Sequence, residues 1–585
     1  MVPCLRVLPP AAGTVGACRI DSEQAPTIAP VAPVYGGAHR PRPTQTARPR
    51  SLRTVHLTSW AACAPAAVAW LLVLRLVWAL LRTDLTFAYV AEHTSVGEAW
   101  WYRVAATWGG MEGSLLLFAA MLATAAAVAV CKEASAARRW LLHGWTVLLA
   151  VAVVALALLF ASPFDRLDVP AVQGFGLTPI LRHWAMVVHP PLLYAGVVCT
   201  VPPYASRRRA HRWLLASMAL LTVAMALGGF WSYAEQGWGG YWAWDPVENT
   251  SLAVWMAALV AIHAGRGSSR RAAAVRRLPF VVALAGAAVA RSGVTASVHS
   301  FAESVTIGVA LGAVAGAALV GAGGVAAIEA AEQRSVAAGA PAARLDGWRT
   351  TAALLIGGAL AIVVLFTAAP LLATDGEGAR VNGRWFARPL GAFAAVVVFA
   401  LIALLVRARG RVGRGGWIAH SGMVVLLLGA VGSSFDRWED RWIATDETLI
   451  VAGVEVTNHG VALADGPTPG STEVSVRLVV AGHERQPALV TFPERGGALA
   501  ETSLVSRPWR DVQVTLLTAR DDGRALLEVR SKPLVSLVWM GALTVLLGAG
   551  VAFADHRRGR AGQGQFRRRR PAARPGVAAS AAGAR

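Results

Sequence analysis

The chain has 585 residues, of which 55% are hydrophobic and only 15% charged, yet it carries a net charge of +21. A soluble chain of this length carries about 25% charged residues, so the composition excludes a disordered segment or a polar protein that coats nucleic acid. An oily chain with concentrated positive charge is an integral membrane protein with basic loops.

Residues 1–57 are rich in Pro and Arg, have no continuous apolar core and do not resemble a cleavable signal peptide. Twelve apolar runs follow, near 58–81, 113–130, 141–161, 184–204, 213–231, 251–265, 278–297, 304–328, 351–373, 389–406, 417–434 and 533–554. Each is close to the roughly 20 residues that a bilayer span requires. The loops between them alternate in charge. Lys132–Arg139, Arg207–Arg212, Arg266–Arg277, Arg334–Arg349 and Arg407–Arg414 are basic, and the others are neutral, acidic or mixed. Basic loops face the cytoplasm, so both termini are expected there, with loops 82–112, 162–183, 232–250, 298–303, 374–388 and 435–532 outside.

Segment 435–532 is the one sizeable polar stretch between runs. Thr472–Val480 and Asp511–Leu517 alternate apolar and polar residues, and Asp521-Asp522-Gly523 is a hairpin signal. The expected fold is an all-α polytopic membrane protein of about twelve spans with one small extracytoplasmic β-rich domain. Its parts are a bundle over 58–434, the β-rich domain over 435–532, a last span over 533–554 and a basic, low-complexity tail over 555–585. Lys132 and Lys532 are the only lysines. None of the five Cys forms a Cys-x-x-Cys pair, which excludes covalent haem attachment to this chain itself.

The most informative stretch joins two runs on the outer side, from Trp231 to Asn249 within 231–250. It holds Trp231, Trp238, Trp242 and Trp244, two Tyr, three acidic residues and no basic one. An interfacial belt scatters one or two aromatics per helix end. Here they crowd into one loop, with Gly237, Gly239 and Gly240 permitting tight turns. The result is a flat apolar platform on which a large planar ligand such as a porphyrin would stack.

The run W-G-G-Y-W-A-W-D-P-V-E-N-x-S resembles the tryptophan-rich "WWD" signature of haem-handling membrane proteins. Further segments resemble one branch of it, the CcmF family of cytochrome c-type biogenesis proteins, the haem lyase subunit of the bacterial maturation system. They are Trp108–Ser114, Ser162–Leu167, His189–Tyr194, Arg291–Val294 with Ser297–Phe301, and Lys532–Val535, in the family's order and spread over about 58–555. Two features depart from the family pattern: the polar segment 1–57 replaces an apolar first helix, and the stretch between His299 and His420 is shorter.

His189 and His299 flank the aromatic loop in sequence at similar expected depth. The resemblance implies that they are the axial ligands of a transient substrate haem, with Trp231, Trp238, Trp242, Trp244 and Asp245 around it. His263 lies about 20 Å below the outer end of its helix at 1.5 Å per residue, and His420 one turn into the run that rises from Arg407–Arg414. A titratable residue inside a membrane marks function by default. The resemblance makes these two the axial ligands of a second, intramembrane haem b, an electron relay. Glu112, Glu235, Asp245 and Glu248 suit helix caps or bonds to indole N–H groups, and Arg291 suits a haem propionate.

The resemblance further implies holocytochrome c synthase activity within a complex, with no catalytic residue apart from those that bind haem. The haem chaperone CcmE would deliver haem, whose vinyl groups would be joined to the Cys-x-x-Cys-His thiols of apocytochrome c. CcmH-type thiol proteins, membrane lipid and a quinol donor complete the partners, with no nucleic acid, and the expected location is the bacterial cytoplasmic (inner) membrane. Competing readings are a haem-delivery or export component similar to CcmC or to the system-two synthetase, and a respiratory or transporter subunit with a structural aromatic loop. Two central histidines and an outer β-rich domain separate this chain from CcmC.

Overall fold

The structure, a computed structural model, describes residues 52–131, 136–207, 209–235, 240–265, 269–293, 303–336, 347–372, 383–407, 412–467, 470–492 and 497–568. Among the described residues every apolar run forms a helix over most or all of its length. The order is α1 (Leu52–Arg82), two short helices α2 (Ala88–His93) and α3 (Trp100–Ala105), then α4 (Met111–Cys131), α5 (Ala136–Leu159), α6 (Trp184–Val198) and α7 (Val201–Ala205). It continues with α8 (Ala210–Glu235), α9 (Pro246–Ala264), α10 (Arg270–Ser292), α11 (Val305–Val336), α12 (Gly347–Leu372), α13 (Gly383–Arg407), α14 (Arg414–Ser433) and α15 (Val535–Arg568). Among the described residues ten helical stretches are long and apolar enough to cross a membrane, with α6 and α7 forming one of them. The apolar parts of α5 and α13, Gly144–Leu159 and Gly391–Arg407, are shorter. The chain is a multi-pass membrane protein.

Segment 82–112 is not plain loop, because it folds into α2 and α3. Helices of six residues make fewer than two turns, too few for periodicity to register. The segment Ser162–Leu167 explains itself here. Its backbone pairs with residues 86–88 through Ala88 N to Asp165 O (2.9 Å) and Leu167 N to Thr86 O (3.0 Å). Phe164 then lies under the Arg75 guanidinium, 4.5 Å from the ring centroid. Arg75 is thereby held by a cation–π contact in the bundle.

Helix α6 contains Pro190 and Pro191. A proline removes the amide that would bond the carbonyl four residues earlier, and in a membrane that carbonyl needs another donor. The Trp108 indole supplies it, donating from Nε1 to Met186 O at 2.8 Å. The family-like segment Trp108–Ser114 is thus bonded to the first turn of α6, just ahead of His189–Tyr194.

Ten strands lie between α14 and α15: β1 (Arg437–Ile443), β2 (Thr448–Val451), β3 (Val454–Asp465), β4 (Thr472–Val480), β5 (His483–Arg485), β6 (Ala488–Phe492), β7 (Gly497–Glu501), β8 (Ser503–Val505), β9 (Arg510–Ala519) and β10 (Ala525–Pro533). All their pairings are antiparallel. One sheet has the order β1-β10-β9-β8, the other β2-β3-β4-β6-β7, with β5 beside β4. Residues such as Val456, Val476, Leu478, Val514 and Leu527 alternate inward and share one core, as half-buried strands require.

Helices α14 and α15 pack through a seam of glycines. Gly415, Gly422 and Gly429 recur every seven residues and face the α15 backbone at Ala552, Val545 and Val538. Gly541 and Gly548 return the contact against Leu426 and Ala419. Small residues at this period let two membrane helices approach backbone to backbone. Gly422→Leu is expected to force them apart at a cost of about 1–3 kcal/mol. The measurement is the SDS-unfolding midpoint of the purified protein in micelles, with Gly550→Ala as control because Gly550 faces open space. Equal midpoints for the two variants would refute the seam.

Candidate functional site

The path of the aromatic loop is set at both ends. At its start, α8 carries two adjacent glycines. A methyl group on Gly228 would meet the His189 ring at 2.5 Å, and one on Gly229 would meet Tyr241 O at 2.9 Å. The missing side chains therefore admit the imidazole and the returning loop side by side. His189 Nδ1 donates to Ala224 O at 2.7 Å, which puts the proton on Nδ1 and the lone pair on Nε2. The Trp231 ring stands edge-on to His189 at 6.4 Å and stacks on His183 at 5.7 Å. Ser232 Oγ donates to Gly240 O (2.9 Å), and Tyr241 Oη shares a hydrogen bond with Ser433 Oγ (2.7 Å).

At its other end, the run Trp244-Asp245-Pro246-Val247-Glu248-Asn249 is a helix start. Asp245 is the N-cap of α9 and accepts the Glu248 amide at 3.3 Å, with Pro246 in the first turn. Glu248 reaches back to the Ala243 amide at 2.8 Å. This is a capping box with a longer return arm. Trp244 is held at φ 58, a left-handed conformation that costs a bulky residue about 1–2 kcal/mol. Asn249 Nδ2 bonds its carbonyl at 3.0 Å and keeps it there.

The loop separates two cavities. A large one of about 1470 Å³ is lined by Trp242 and Trp244 at the loop, by apolar residues such as Met218, Leu259 and Met423, and by His263 and His420. A smaller one of about 240 Å³ is lined by His189, Trp108, Trp231, Glu248 and Arg291. Trp242 is a wall of both, stands edge-on to Trp244 at 6.2 Å, and its buried Nε1 finds no acceptor among the described residues.

The structure brings His263 and His420 together from α9 and α14, with ring centroids 5.9 Å apart and planes at 79°. Each Nδ1 bonds a carbonyl of its own helix, Leu259 O at 2.8 Å and Gly416 O at 2.6 Å. In each ring Nε2 is then the lone-pair nitrogen, the tautomer a metal ligand needs. An atom bonded to one nitrogen of each ring at about 2.0–2.1 Å would set the centroids roughly 6.4 Å apart. The observed spacing differs by a few tenths of an ångström, so the two rings stand near the separation that a shared metal ion requires. His299 and Trp238 lie outside the described residues.

Four features were not read from the sequence: the Gly228-Gly229 step, the His183 stack, the Trp108–Met186 bond and the surroundings of Arg291. Consecutive glycines inside an apolar helix just before the aromatic loop were the available signal for the first. Arg291 lies in the last turn of α10, 7% exposed. Its Nη2 reaches Ser114 Oγ and Tyr194 Oη, both at 3.4 Å. Burying an ion costs several kcal/mol, whereas the dipole at a helix C-terminus returns about 0.3–1 kcal/mol.

Residues 200–289 match the family model described as cytochrome C assembly protein. CycK of Bradyrhizobium diazoefficiens is 26% identical over 82% of this chain and 89% of its own. CcmF of Pseudomonas aeruginosa is 26% identical over 82% and 88%, and the probable NrfE of Escherichia coli 30% identical over 62% and 70%. All three are described as cytochrome c-type biogenesis proteins. The fold matches a solved structure of the cytochrome c haem lyase CcmF with a TM-score of 0.64 at 22% identity, over 86% of this chain and 92% of that one. The class is thereby defined: a multi-pass membrane protein of cytochrome c assembly. The chain belongs to the CcmF/CycK/NrfE family of cytochrome c-type biogenesis proteins.

Lys532 on β10 also lines the large cavity, 5% exposed and 3.8 Å from Asp436. Burial pulls its ammonium down from 10.5 to about 8. Between those values the unfolded chain holds the extra proton, so stability rises with pH there and is lost as pH falls toward 8. Burial raises the Tyr241 phenol above its ordinary 10.0, which reverses the trend above pH 10. The wild type is therefore expected to gain stability between pH 8 and 10, on the order of 2–3 kcal/mol. The SDS-unfolding midpoint across that window reads this gain, and Lys532→Met should abolish it. An identical slope in the variant would contradict the assignment.

Proposed function

We propose that the chain is a haem lyase-type component of cytochrome c maturation. It binds a substrate haem at the Trp-rich loop between His189 and His299 and promotes its attachment to the Cys-x-x-Cys-His motif of an apocytochrome c. The observation that carries this reading is the partition at Trp242, with His189 on one side and the His263–His420 pair on the other. Each thioether forms by adding a cysteine S–H across a vinyl double bond, without net oxidation or reduction. Such a step needs no protein nucleophile. The chain's residues bind, orient and shield the reacting partners.

In this reading His189 binds through Nε2 while Ala224 O holds its Nδ1 proton. Trp231 buttresses the imidazole, and Trp242 and Trp244 offer ring faces and edges to the porphyrin plane. His263 and His420 would hold a resident haem b, which when bound supplies one-electron transfer. Leu259 O and Gly416 O fix their tautomers. The charge pattern of the loops supports a bacterial cytoplasmic (inner) membrane protein with both termini inside and the aromatic loop outside. A haem chaperone such as CcmE, a CcmH-type thiol protein and a quinol donor are the partners this chemistry calls for.

The purified protein is expected to give a b-type pyridine haemochrome spectrum that is lost in the double variant His263→Ala, His420→Ala. Full retention in that variant would sink the inner site. In cells lacking the native gene, His189→Ala should abolish c-type cytochrome accumulation and leave the inner spectrum in place. Normal c-type cytochrome levels would reject the outer site.

A further inference from the structure

We propose that Arg291 is the receptor for a carboxylate arm of the porphyrin that His189 would hold, and that the arm occupies the 240 Å³ cavity the two residues share. The inference rests on the reading of His189 as a haem ligand and adds to it a residue that orients the macrocycle.

Arg291 is buried in a membrane-spanning helix, yet no carboxylate lies within ion-pair distance of it among the described residues. Its two partners are hydroxyls at 3.4 Å, beyond the usual 2.7–3.2 Å for an N–H donor. Its Nε meets no acceptor, and neither does Trp242 Nε1 in the same wall. Glu248, the acidic residue of that wall, accepts the Ala243 amide as part of the α9 cap. The cavity therefore presents donors and a fixed positive charge, and its complement is an anion rich in lone pairs.

Size and shape narrow the choice. A volume of 240 Å³ is too small for a porphyrin but ample for one short acid side arm with water, at about 30 Å³ per water. A planar carboxylate matches the two parallel donors of a guanidinium, which a compact ammonium does not offer. Phe118, Leu193 and Val254 in the wall suit the methylene part of such an arm. A carboxylate here and an imidazole bond at His189 would fix the porphyrin at two points, so that its vinyl edge is presented in one orientation.

The test compares haem with haem dimethyl ester, in which both carboxylates are capped. The full-length protein in micelles is titrated with each, and the spectral component that disappears in His189→Ala is followed. The wild type is expected to bind the acid about tenfold or more tightly than the ester, the worth of one charge-assisted hydrogen bond. Arg291→Gln should erase that preference with ester affinity unchanged, and Arg291→Lys should keep part of it. Equal affinity of the wild type for acid and ester overturns the proposal without needing any folded variant, and so does a preference that survives Arg291→Gln. If no component depends on His189 with either ligand, the haem-ligand reading itself fails, and this proposal with it.

Discussion

Two side chains that are absent from α8 govern the site. At Gly228 and Gly229 neighbouring positions of one helix admit an imidazole and a loop backbone at distances no larger residue would allow. The His189 ring can then lean far enough across α8 to bond Ala224 O, which fixes its tautomer. Tyr241, seated one position further along, fixes where the loop returns. The next residue is Trp242, and because its predecessor is pinned it falls between the two cavities. The strain at Trp244 follows from the same geometry. The chain must turn sharply to start α9 at Pro246, and the Asp245 cap with the Asn249 bond holds that turn.

The β-rich domain closes the C-terminal end of the same helix. A helix leaves its last carbonyls without intrahelical partners, and in α8 two of them, at Tyr233 and Ala234, are met by Gln513 Nε2 at 2.9 Å and Thr502 Oγ1 at 3.0 Å. Tyr233 Oη adds a bond to Asp511 Oδ2 at 3.0 Å, and burial raises that carboxyl above its ordinary value. Trp539 of α15 packs against Tyr233 and Tyr241 from the other side. The domain is therefore wired to the residues that precede the aromatic loop. A shift of the sheets would strip hydrogen bonds from the helix end that sets the loop's path.

What was legible in the sequence divides along the range of the interactions. Spans were legible because membrane length and apolarity are local quantities. The depth of His263 and His420 could be counted along their helices, and the structure pairs them. The cap at Asp245 follows from a local pattern. The glycine seam between α14 and α15 was present as a period of seven, but α15 is separated from α14 by the whole β-rich domain, so nothing local pointed to its partner. The Trp108–Met186 bond joins residues 78 positions apart. A proline inside a helix announces an orphaned carbonyl without saying which donor will meet it. The placement of Trp242 between two cavities depends on several such distant contacts at once.

Each cavity holds a buried cation of a different kind: Lys532 in the large one, which Arg530 and Asp436 also line, and Arg291 in the small one. Lys532 beside the large cavity has an ammonium that burial has already brought to about 8. It can release its proton, whereas the Arg530 guanidinium of the same cavity keeps its charge beside Glu528. Arginine has no such neutral form in proteins. A guanidinium in the small cavity keeps its charge whether or not an anion is bound, and the bundle bears that cost permanently. Exchange of Arg291 for lysine would let the site escape the cost by deprotonation, at the expense of the fixed field and of the planar fork. A site that must hold one orientation of a planar acid needs both. The residue that is the more expensive to bury is therefore the one suited to the small cavity.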